Sequence, residues 1–221
     1  HKPFEILLKH KEIDINFCIT WANENWTRRW DGAENDILIG QNHSEEDSIK
    51  FIHNLFKYFK DERYIRIDNK PVLIIYRSSI IPAISKMGEI WREEAKKEGF
   101  DGLYLVCAET PGTESPKDIA FDAAMEFPPH TINLQPFPNK PEILNQEYSG
   151  NIVNYEYSVE KYLEQKVEPP FKEFKTSTLS WDNTARRQDN ATIFHNFSIE
   201  AYKNWMNHLY KTTLNNDKYN D

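Results

Sequence analysis

The chain has 221 residues, a formal net charge of -8 and a hydrophobic fraction of 39%. This length and apolar content are enough to bury one core, so residues 1–221 are expected to form a single domain. The acidic balance disfavours a nucleic-acid partner, because phosphate binding needs a basic face. No apolar run of about eighteen residues occurs, so no membrane span is expected.

The first half of the chain alternates helix and strand patterns. The segment "KPFEILLKHKE" fits one or two helical turns, and the β-branched and aromatic run at 14–20 predicts a strand. The tryptophan-rich stretch at 20–32 follows as a predicted loop. A helix is predicted to begin at Ser44, because acids follow this hydroxyl in a capping pattern. Pro71 then opens "PVLIIYR", an apolar run typical of a buried strand.

The second half continues the alternation. A helix pattern ends at Gly99, and strand patterns follow at 103–109, 121–127 and 175–181, with a small strand at "NIVNY". Helices are predicted at "SVEKYLEQK" and "SIEAYKNWMNHLYKTTL". The proline-rich segment 128–150 is expected to be a functional loop, since loops of that length are uncommon in compact domains.

Apolar strands that alternate with helices predict an α/β fold with a parallel sheet and helices outside it. Two architectures fit this pattern. One is a doubly wound open sheet, and the other is a (β/α)8 barrel, which needs eight strands and about 250 residues. Five main strand patterns are present, so the chain is either an open sheet or part of a barrel.

Each main strand pattern is followed by polar, aromatic or acidic residues. Because the carboxyl ends of parallel strands open on one face, where active sites of such folds lie, these clusters are expected to converge. In chain order they are "WANENWTRRWDG", Tyr76 with Arg77, Glu109 with Thr110, Glu126 with "FPPH", and Trp181 with "DNTARR".

The clusters have the composition of a carbohydrate site. Tryptophan offers a flat apolar face to a pyranose ring, and Asn, Asp, Glu and Arg bind sugar hydroxyls. The alternative, core tryptophans with surface ion pairs, does not explain why a Trp-Asp step occurs twice beside paired arginines. The predicted substrate-binding residues are Trp21, Asn23, Asn25, Trp26, Arg28, Arg29, Trp30, Asp31, Tyr76, Glu109, His130, Trp181, Asp182, Asn183 and Arg186.

Acid/base chemistry on sugars is normally performed by paired carboxylates. Glu24 and Glu126 lie at predicted strand ends and are the catalytic candidates. Each has an alternative role as the salt-bridge partner of an arginine. His130 is a candidate proton shuttle or hydroxyl donor, although a single loop histidine more often has neither role.

No metal or cofactor is predicted. The histidines lack metal-ligand spacing, and the dinucleotide and P-loop glycine motifs are absent, as are an Asp-x-Asp pair and a G-x-S-x-G elbow. Cys18 and Cys107 each lie in an apolar strand-like run and are expected to be buried, reduced thiols. A disulfide or a metal pair is the minor alternative.

Four segments together resemble one known family. In order, "FCITWANENWTRRWDG", "DERYIRIDNKPVLIIYR", "FDAAMEFPPH" and "WDNTARR" resemble the WbsX-like family of bacterial polysaccharide-biosynthesis proteins. That family is related to the family-ninety-nine glycoside hydrolases, the endo-α-mannosidase group. The resemblance covers nearly the whole chain and implies a (β/α)8 barrel that acts on glycans, with 21–31, 126–130 and 181–187 lining the sugar site.

The sequence also departs from the family pattern. It lacks the usual first strand with a Tyr-x-Pro-x-Phe-His-like motif, the second aromatic-rich strand, and the last strand leading into Asn-Glu-Trp-x-Glu-Gly. The two glutamates of that last motif match the catalytic pair of the hydrolase relatives. The resemblance therefore implies a fragment of a barrel, lacking about two N-terminal strands and one C-terminal strand, with that pair beyond Asp221 and little activity alone.

These observations predict a carbohydrate-active protein that acts on bacterial surface glycans such as O-antigen or capsule polysaccharide. Glycoside hydrolase-like and glycosyl-transferring chemistry both stay open, as do the sugar, the linkage and the oligomeric state. Two alternatives are a non-catalytic glycan-binding protein that uses the same tryptophan-rich face and an α/β protein whose tryptophans are core. The expected partner is an oligosaccharide or polysaccharide substrate, and the expected location is the bacterial cytoplasm.

Overall fold

The computed structural model describes residues 2–28, 33–41, 43–137, 141–165 and 168–216, with the backbone alone at 26–28 and 33–36. The chain divides into two compact units. The first unit comprises His1–Glu24 and Gln41–Met125, and the second comprises Asn25–Gly40 and Glu126–Asp221.

Strands and helices alternate along the chain. The strands are β1 (Ile19–Trp21), β2 (Trp26–Arg28), β3 (Ala33–Ile39), β4 (Arg66–Ile67), β5 (Lys70–Ile75), β6 (Tyr104–Ala108), β7 (Ala123–Met125), β8 (Asn151–Asn154), β9 (Glu173–Phe174) and β10 (Thr192–His195). The helices are α1 (Lys2–Lys9), α2 (Glu45–Phe59), α3 (Ile84–Lys97), α4 (Tyr155–Leu163), α5 (Thr184–Arg187) and α6 (Ile199–Leu214). Short 3-10 turns lie at Ser78–Ile80 and Gln188–Asn190.

A parallel sheet organises the first unit. Strands β1, β5, β6 and β7 lie side by side in this order, and the short β4 pairs antiparallel with β5. All the residues of β5 after Lys70 are buried, as are all those of β6. Strands with an apolar residue at every position are typical of a parallel sheet that is covered on both faces, as the sequence predicts.

The start of α2 and the end of α3 lie where the sequence predicts. The Ser44 hydroxyl accepts from the Asp47 N–H at 3.1 Å and caps α2. Gly99, with φ of +97°, follows the end of α3 in the left-handed region that favours glycine. The α3 residue Trp91 is fully buried, and its indole N–H donates to the Ser48 carbonyl oxygen of α2 at 3.2 Å.

The core of the second unit lies among β8, β10, α4 and α6. Strands β8 and β10 pair in parallel from Thr192↔Asn151 to His195↔Asn154. Their residues Val153 and Phe194 are buried with Tyr155 of α4 and with Trp205 of α6. Strand β10 was not predicted, because the polar residues before it and the short run "TIFH" resemble a loop.

Two sequence-based assignments are corrected by the backbone. The tryptophan-rich stretch was predicted as a loop, but β2 pairs antiparallel with β3. The predicted strand at 175–181 is wrong, since β9 ends at Phe174. Beyond β9, the Thr176 N–H donates to the Glu126 carboxylate and the Thr178 carbonyl accepts from the Tyr155 hydroxyl. Side chains therefore take the backbone groups that a strand would use in a ladder.

The coarse fold prediction is confirmed, because the chain has an α/β fold with parallel strands. The strands that the structure describes form no closed barrel. In the described part of the chain, no helix is long and apolar enough to cross a membrane. Cys18 and Cys107 are free thiols, with Cys107 buried and Cys18 half-buried.

Replacing Trp91 by Ala is expected to lower the free energy of unfolding by about 3–5 kcal/mol, because a fully buried indole would leave a large cavity. Trp91→Phe keeps part of the volume, so its expected loss is smaller. Urea unfolding followed by circular dichroism measures both values. Equal losses for the two variants would contradict a packing role.

Candidate functional site

The carboxyl edge of the first unit's sheet brings several predicted site residues together. The parallel register pairs Trp21 with Ile75, and Ile75 with Cys107, so β1, β5 and β6 end next to one another. Asn23 and Glu24 follow β1 on this edge. The other polar residues that directly follow these strands are Tyr76, Arg77, Glu109 and Thr110.

Trp21 ends β1 and is half-buried. Its indole stacks on Phe51, with ring centroids 4.1 Å apart and planes 28° from parallel. It also meets Trp91 edge-on at 6.1 Å and lies 5.7 Å from the ring of His43. Burial lowers the pKa of His43, which favours its neutral form. One face of Trp21 is therefore used in packing.

Asn23 fastens the loop after β1 to the loop after β5. The Asn23 side chain is fully buried, and its Nδ2 donates to the Arg77 carbonyl oxygen at 2.8 Å. Its Oδ1 accepts from the Arg77 N–H, also at 2.8 Å. The amide thus satisfies both backbone groups of one residue, as a strand partner would. We call this pair of hydrogen bonds the Asn23 clamp.

The Asn23 clamp places Glu24 beside the Arg77 side chain. Arg77 Nη1 donates to Glu24 Oε1 at 2.7 Å, and the two side chains are 30% and 25% exposed. Arg77 Nε is buried and has no hydrogen-bond partner among the described residues. Within the same residues, Oε2 of Glu24 accepts no hydrogen bond. The partly exposed pair therefore presents a carboxylate acceptor beside a guanidinium group.

Glu126 lies in the second unit and is 6% exposed. The Tyr162 hydroxyl lies 2.9 and 2.8 Å from its two carboxylate oxygens. Lys175 Nζ donates to Oε1 at 3.3 Å, and the Thr176 N–H donates to Oε2 at 3.0 Å. Lys175 also forms a close ion pair with Glu173. Both oxygens of Glu126 are thus occupied within the protein.

Lys175 lies beside two buried carboxylates, those of Glu126 and Glu173. Burial raises the pKa of Glu126, and the hydrogen bonds from Thr176 and Tyr162 only partly oppose that rise. Burial alone would lower the pKa of Lys175, but its hydrogen bond to Glu173 and the nearby negative charges raise it overall. Burial also raises the pKa of Tyr162 far above its usual range, so its hydroxyl stays a donor.

The predicted loop residues after 180 use their polar atoms locally. Trp181 is 38% exposed, and its carbonyl oxygen accepts from the Phe194 N–H at 2.7 Å. Asp182 Oδ1 accepts from the Thr184 N–H at 2.8 Å, and the Thr184 side-chain hydrogen bond contributes most to lowering its pKa. Asn183 Oδ1 accepts from the Thr192 N–H at 2.8 Å. These contacts hold the Trp181 ring at the protein surface.

The other predicted residues have different surroundings. His130 is exposed, and its ring stacks on Phe127 with centroids 6.3 Å apart. Asn25 and Arg186 are exposed, whereas Tyr76 and Glu109 are half-buried. Arg29, Trp30 and Asp31 lie outside the described residues, and the side chains of Trp26 and Arg28 are likewise not described.

The carboxyl edge therefore brings together Trp21, Asn23, Glu24, Tyr76 and Glu109 within the first unit. Convergence with the residues of the second unit stays a prediction. Arg77 lies at a predicted strand end but is not among the predicted binding residues. Tyr162 and Lys175 are not among the candidates either, because neither carries a local pattern that points to a carboxylate 36 or 49 positions away. In the parts of the chain that the structure describes, no three His, Cys, Asp or Glu residues are grouped to hold a metal ion.

Comparison with known proteins gives the family. The profile described as "Glycosyltransferase WbsX" matches residues 1–221. The chain belongs to the WbsX glycosyltransferase family. This confirms the resemblance seen in its motifs.

Two curated relatives of this WbsX chain come from strains of Xanthomonas campestris pv. campestris and are both named "Uncharacterized protein WxcX". Each is 30% identical over 194 residues, which is 88% of this chain and 28% of the relative. The chain thus spans little more than a quarter of the length of these relatives. No solved structure matches it.

Breaking the Asn23 clamp is expected to destabilise this WbsX chain. Asn23→Ala removes the side-chain acceptor of the Arg77 N–H and one of the two donors to its carbonyl oxygen, so the free energy of unfolding should fall by about 1–3 kcal/mol. The matched control is Asn54→Ala on the exposed side of α2, expected to change stability by about 0.5 kcal/mol or less. Chemical denaturation measures both, and equal effects would contradict the clamp.

The titration of Glu126 gives a pH test. Because its pKa in the folded chain lies above the unfolded value of about 4.3, its contribution to stability is fully present below that pH. The contribution is lost as pH rises through the folded pKa. The difference in free energy of unfolding between the unchanged chain and Glu126→Gln should therefore decrease from pH 4 to 7 in urea titrations.

Tyr162→Phe provides the comparison for this titration. It removes a hydrogen bond that lowers the pKa of Glu126, so the loss of stability should extend to higher pH. A difference between the unchanged chain and Glu126→Gln that grows with pH would show that the folded pKa is lowered instead.

Proposed function

We propose that this chain forms part of a carbohydrate-active site that acts on bacterial surface glycans, such as O-antigen or capsule polysaccharide. The chemistry is glycoside hydrolase-like or glycosyl-transferring and uses carboxylate acid/base groups at the carboxyl edge of the parallel sheet. The substrate is an oligosaccharide or polysaccharide. Membership of a family described as a glycosyltransferase supports the substrate class.

The observation that carries this proposal is the Glu24–Arg77 pair. It lies at the carboxyl edge of a parallel sheet, where active sites of α/β proteins are found. The Asn23 clamp fixes its backbone, and both side chains keep part of their surface exposed. A carboxylate and a guanidinium side by side can accept from one sugar hydroxyl and donate to its neighbour.

Glu24 and Glu126 have different roles in this proposal. Glu24 keeps an oxygen without a described hydrogen-bond partner, so it is the group that contacts the glycan. The raised pKa of Glu126 suits a general acid, which must hold its proton near neutral pH. Its oxygens are occupied by Tyr162, Lys175 and Thr176, so proton transfer from Glu126 requires one of these contacts to open.

The sheet order supports a proposed (β/α)8 barrel of which residues 1–221 form part. Strands β1, β5, β6 and β7 are neighbours in chain order, with α2 before β5 and α3 before β6. A doubly wound sheet reverses its strand order at a switch point, and these four strands do not. A barrel requires strands that follow one another around the sheet in a single direction, as these four do.

Two further parts of the proposal concern location and the alternative function. Free thiols at Cys18 and Cys107 fit a reducing compartment, which supports the bacterial cytoplasm. The exposed ring of Trp181, with its neighbours Asp182 and Asn183 bonded locally, favours a second candidate. That candidate is a non-catalytic glycan-binding protein, since exposed tryptophan is suited to stacking on sugar.

The test uses the full-length protein and oligosaccharides released from bacterial O chains, with turnover followed by product analysis and binding followed by tryptophan fluorescence. Glu24→Gln keeps the side-chain volume but removes the acid/base group, so turnover should fall by about 100-fold or more while binding persists. Arg77→Met should weaken binding by about tenfold or more. The Asn23 clamp uses only the backbone of Arg77, so this variant should still fold.

The matched control is Glu93→Gln, a change at an exposed position of α3 that should affect neither turnover nor binding. Unchanged binding and turnover in both the Glu24 and the Arg77 variants would overturn the assignment of this site. Binding without turnover by the unchanged protein would favour the glycan-binding alternative.

A further inference from the structure

A cavity of about 250 Å³ lies within the first unit, between the loop after β5 and the loop after β6. Three isoleucines and one serine of its lining are buried. The rest of the lining consists of two serines, an alanine and two acidic residues, which are exposed or half-buried. The lining residues are Ser78, Ser79, Ile81, Ala83, Ile84, Ser85, Glu114, Asp118 and Ile119.

Among the described residues, the polar side chains of this lining have no hydrogen-bond partner. Ser78 is 2% exposed, and its buried hydroxyl has no hydrogen-bond partner among the described residues. The same part of the chain provides no side-chain hydrogen bond or ion pair to Ser79 or Ser85, or to the carboxylates of Glu114 and Asp118. A buried hydroxyl without a partner is costly, because most such groups are bonded to protein, water or ligand.

The start of α3 adds backbone donors to this lining. Ala83 precedes the helix with φ of +50°, and it has no side-chain oxygen that could cap the first turn. Ile84 and Ser85, which line the cavity, belong to that turn and have N–H groups that lack helical acceptors. The cavity therefore combines hydrogen-bond donors with the carboxylate acceptors.

The two loops that enclose the cavity are held together. A Cβ added at Gly112, which has φ of +84°, would lie 3.5 Å from Ser79 Oγ, so the loops pack closely there. The Thr110 hydroxyl donates to the Tyr76 carbonyl oxygen at 3.3 Å and ties the start of one loop to the other. The cavity is therefore formed before a ligand binds, which lowers the entropy cost of binding.

We propose that this cavity is a binding subsite for a single neutral hexopyranose unit of the glycan. The inference rests on the proposed function and names the class of sugar that the protein accepts. Buried Ile81, Ile84 and Ile119 suit the apolar C–H face of a pyranose, and the serines and carboxylates suit its hydroxyls. The volume lies just below the range of about 300–1,000 Å³ for drug-sized ligands, so it limits the occupant to one sugar unit.

Charge decides which sugars are accepted. Glu114 and Asp118 are acceptors only and carry no neutralising partner in the described structure, so a uronic acid or a phosphorylated sugar would meet like charge. A neutral sugar supplies only hydroxyl donors to these carboxylates. The subsite therefore selects against acidic units of a surface glycan.

The experiment titrates the full chain with methyl α-mannopyranoside, methyl α-glucopyranoside, methyl α-galactopyranoside and methyl α-glucuronide. Binding is followed by amide chemical shifts, in which the Gly112 resonance reports on the cavity through its contact with Ser79. At least one neutral glycoside should shift this resonance and bind about tenfold more tightly than the glucuronide. No binding by any neutral glycoside, or equal binding of the glucuronide, overturns the proposal.

The double variant Glu114→Gln with Asp118→Asn removes both charges from exposed positions. This variant should bind the best neutral glycoside about tenfold more weakly. Its preference for that glycoside over the glucuronide should fall to about threefold or less. The matched control is Glu89→Gln with Glu93→Gln on exposed positions of α3, which changes the net charge equally and should leave both affinities unchanged. Equal behaviour of the two double variants overturns the subsite.

The two sets of variants distinguish a failure of this subsite from a failure of the proposed function. Loss of oligosaccharide binding in Arg77→Met, together with unchanged monosaccharide binding in the Glu114/Asp118 variant, rejects the subsite and keeps the site at the carboxyl edge. Monosaccharide binding that depends on Glu114 and Asp118, with the Glu24 and Arg77 variants unaffected, supports the cavity and rejects the proposed acid/base site.

Discussion

The parallel pairing of β1 with β5, and of β5 with β6, is the constraint on which the candidate site depends. The register that pairs Trp21 with Ile75 and Ile75 with Cys107 makes three strands end side by side. A slip of one position would turn every side chain of a strand to the opposite face, so the observed register decides which side chains lie at this edge. Polar loops from distant positions therefore open on one edge.

Satisfied and unsatisfied polar groups divide the candidate residues by role. Both polar atoms of the Asn23 amide form hydrogen bonds with the Arg77 backbone. Both carboxylate oxygens of Glu126 accept hydrogen bonds, from Tyr162, Lys175 and Thr176. Such contacts hold loops in place, because removing a buried partner costs more than the hydrogen bond contributes on its own, and a Glu126 that acts as a general acid must first open one of them. Glu24 and the Arg77 side chain keep hydrogen-bonding capacity for a ligand.

The cavity beside Ser78 is also recognised by polar groups that lack described hydrogen-bond partners, although its loops carry no aromatic or arginine motif. Its serines and acids are ordinary surface residues by type, and nothing in their spacing indicates a common ligand. They become informative together, because five polar side chains surround one apolar floor and have no hydrogen-bond partner in the part of the chain that the structure describes. Membership of a glycosyltransferase family then narrows the ligand chemistry to sugar.

Local periodicity and short motifs were enough to predict the alternation of helix and strand, the capped start of α2 at Ser44, the parallel α/β class and the family. The sequence-based prediction misplaced a strand at 175–181 and missed β10, since side-chain hydrogen bonds and pairing with β8 decided those segments. Which polar atoms already have hydrogen-bond partners depends on contacts between segments that are far apart in the sequence. Asn23 lies 54 positions from its partner Arg77, and Glu126 lies 50 from Thr176, distances along the chain at which local pattern carries no information.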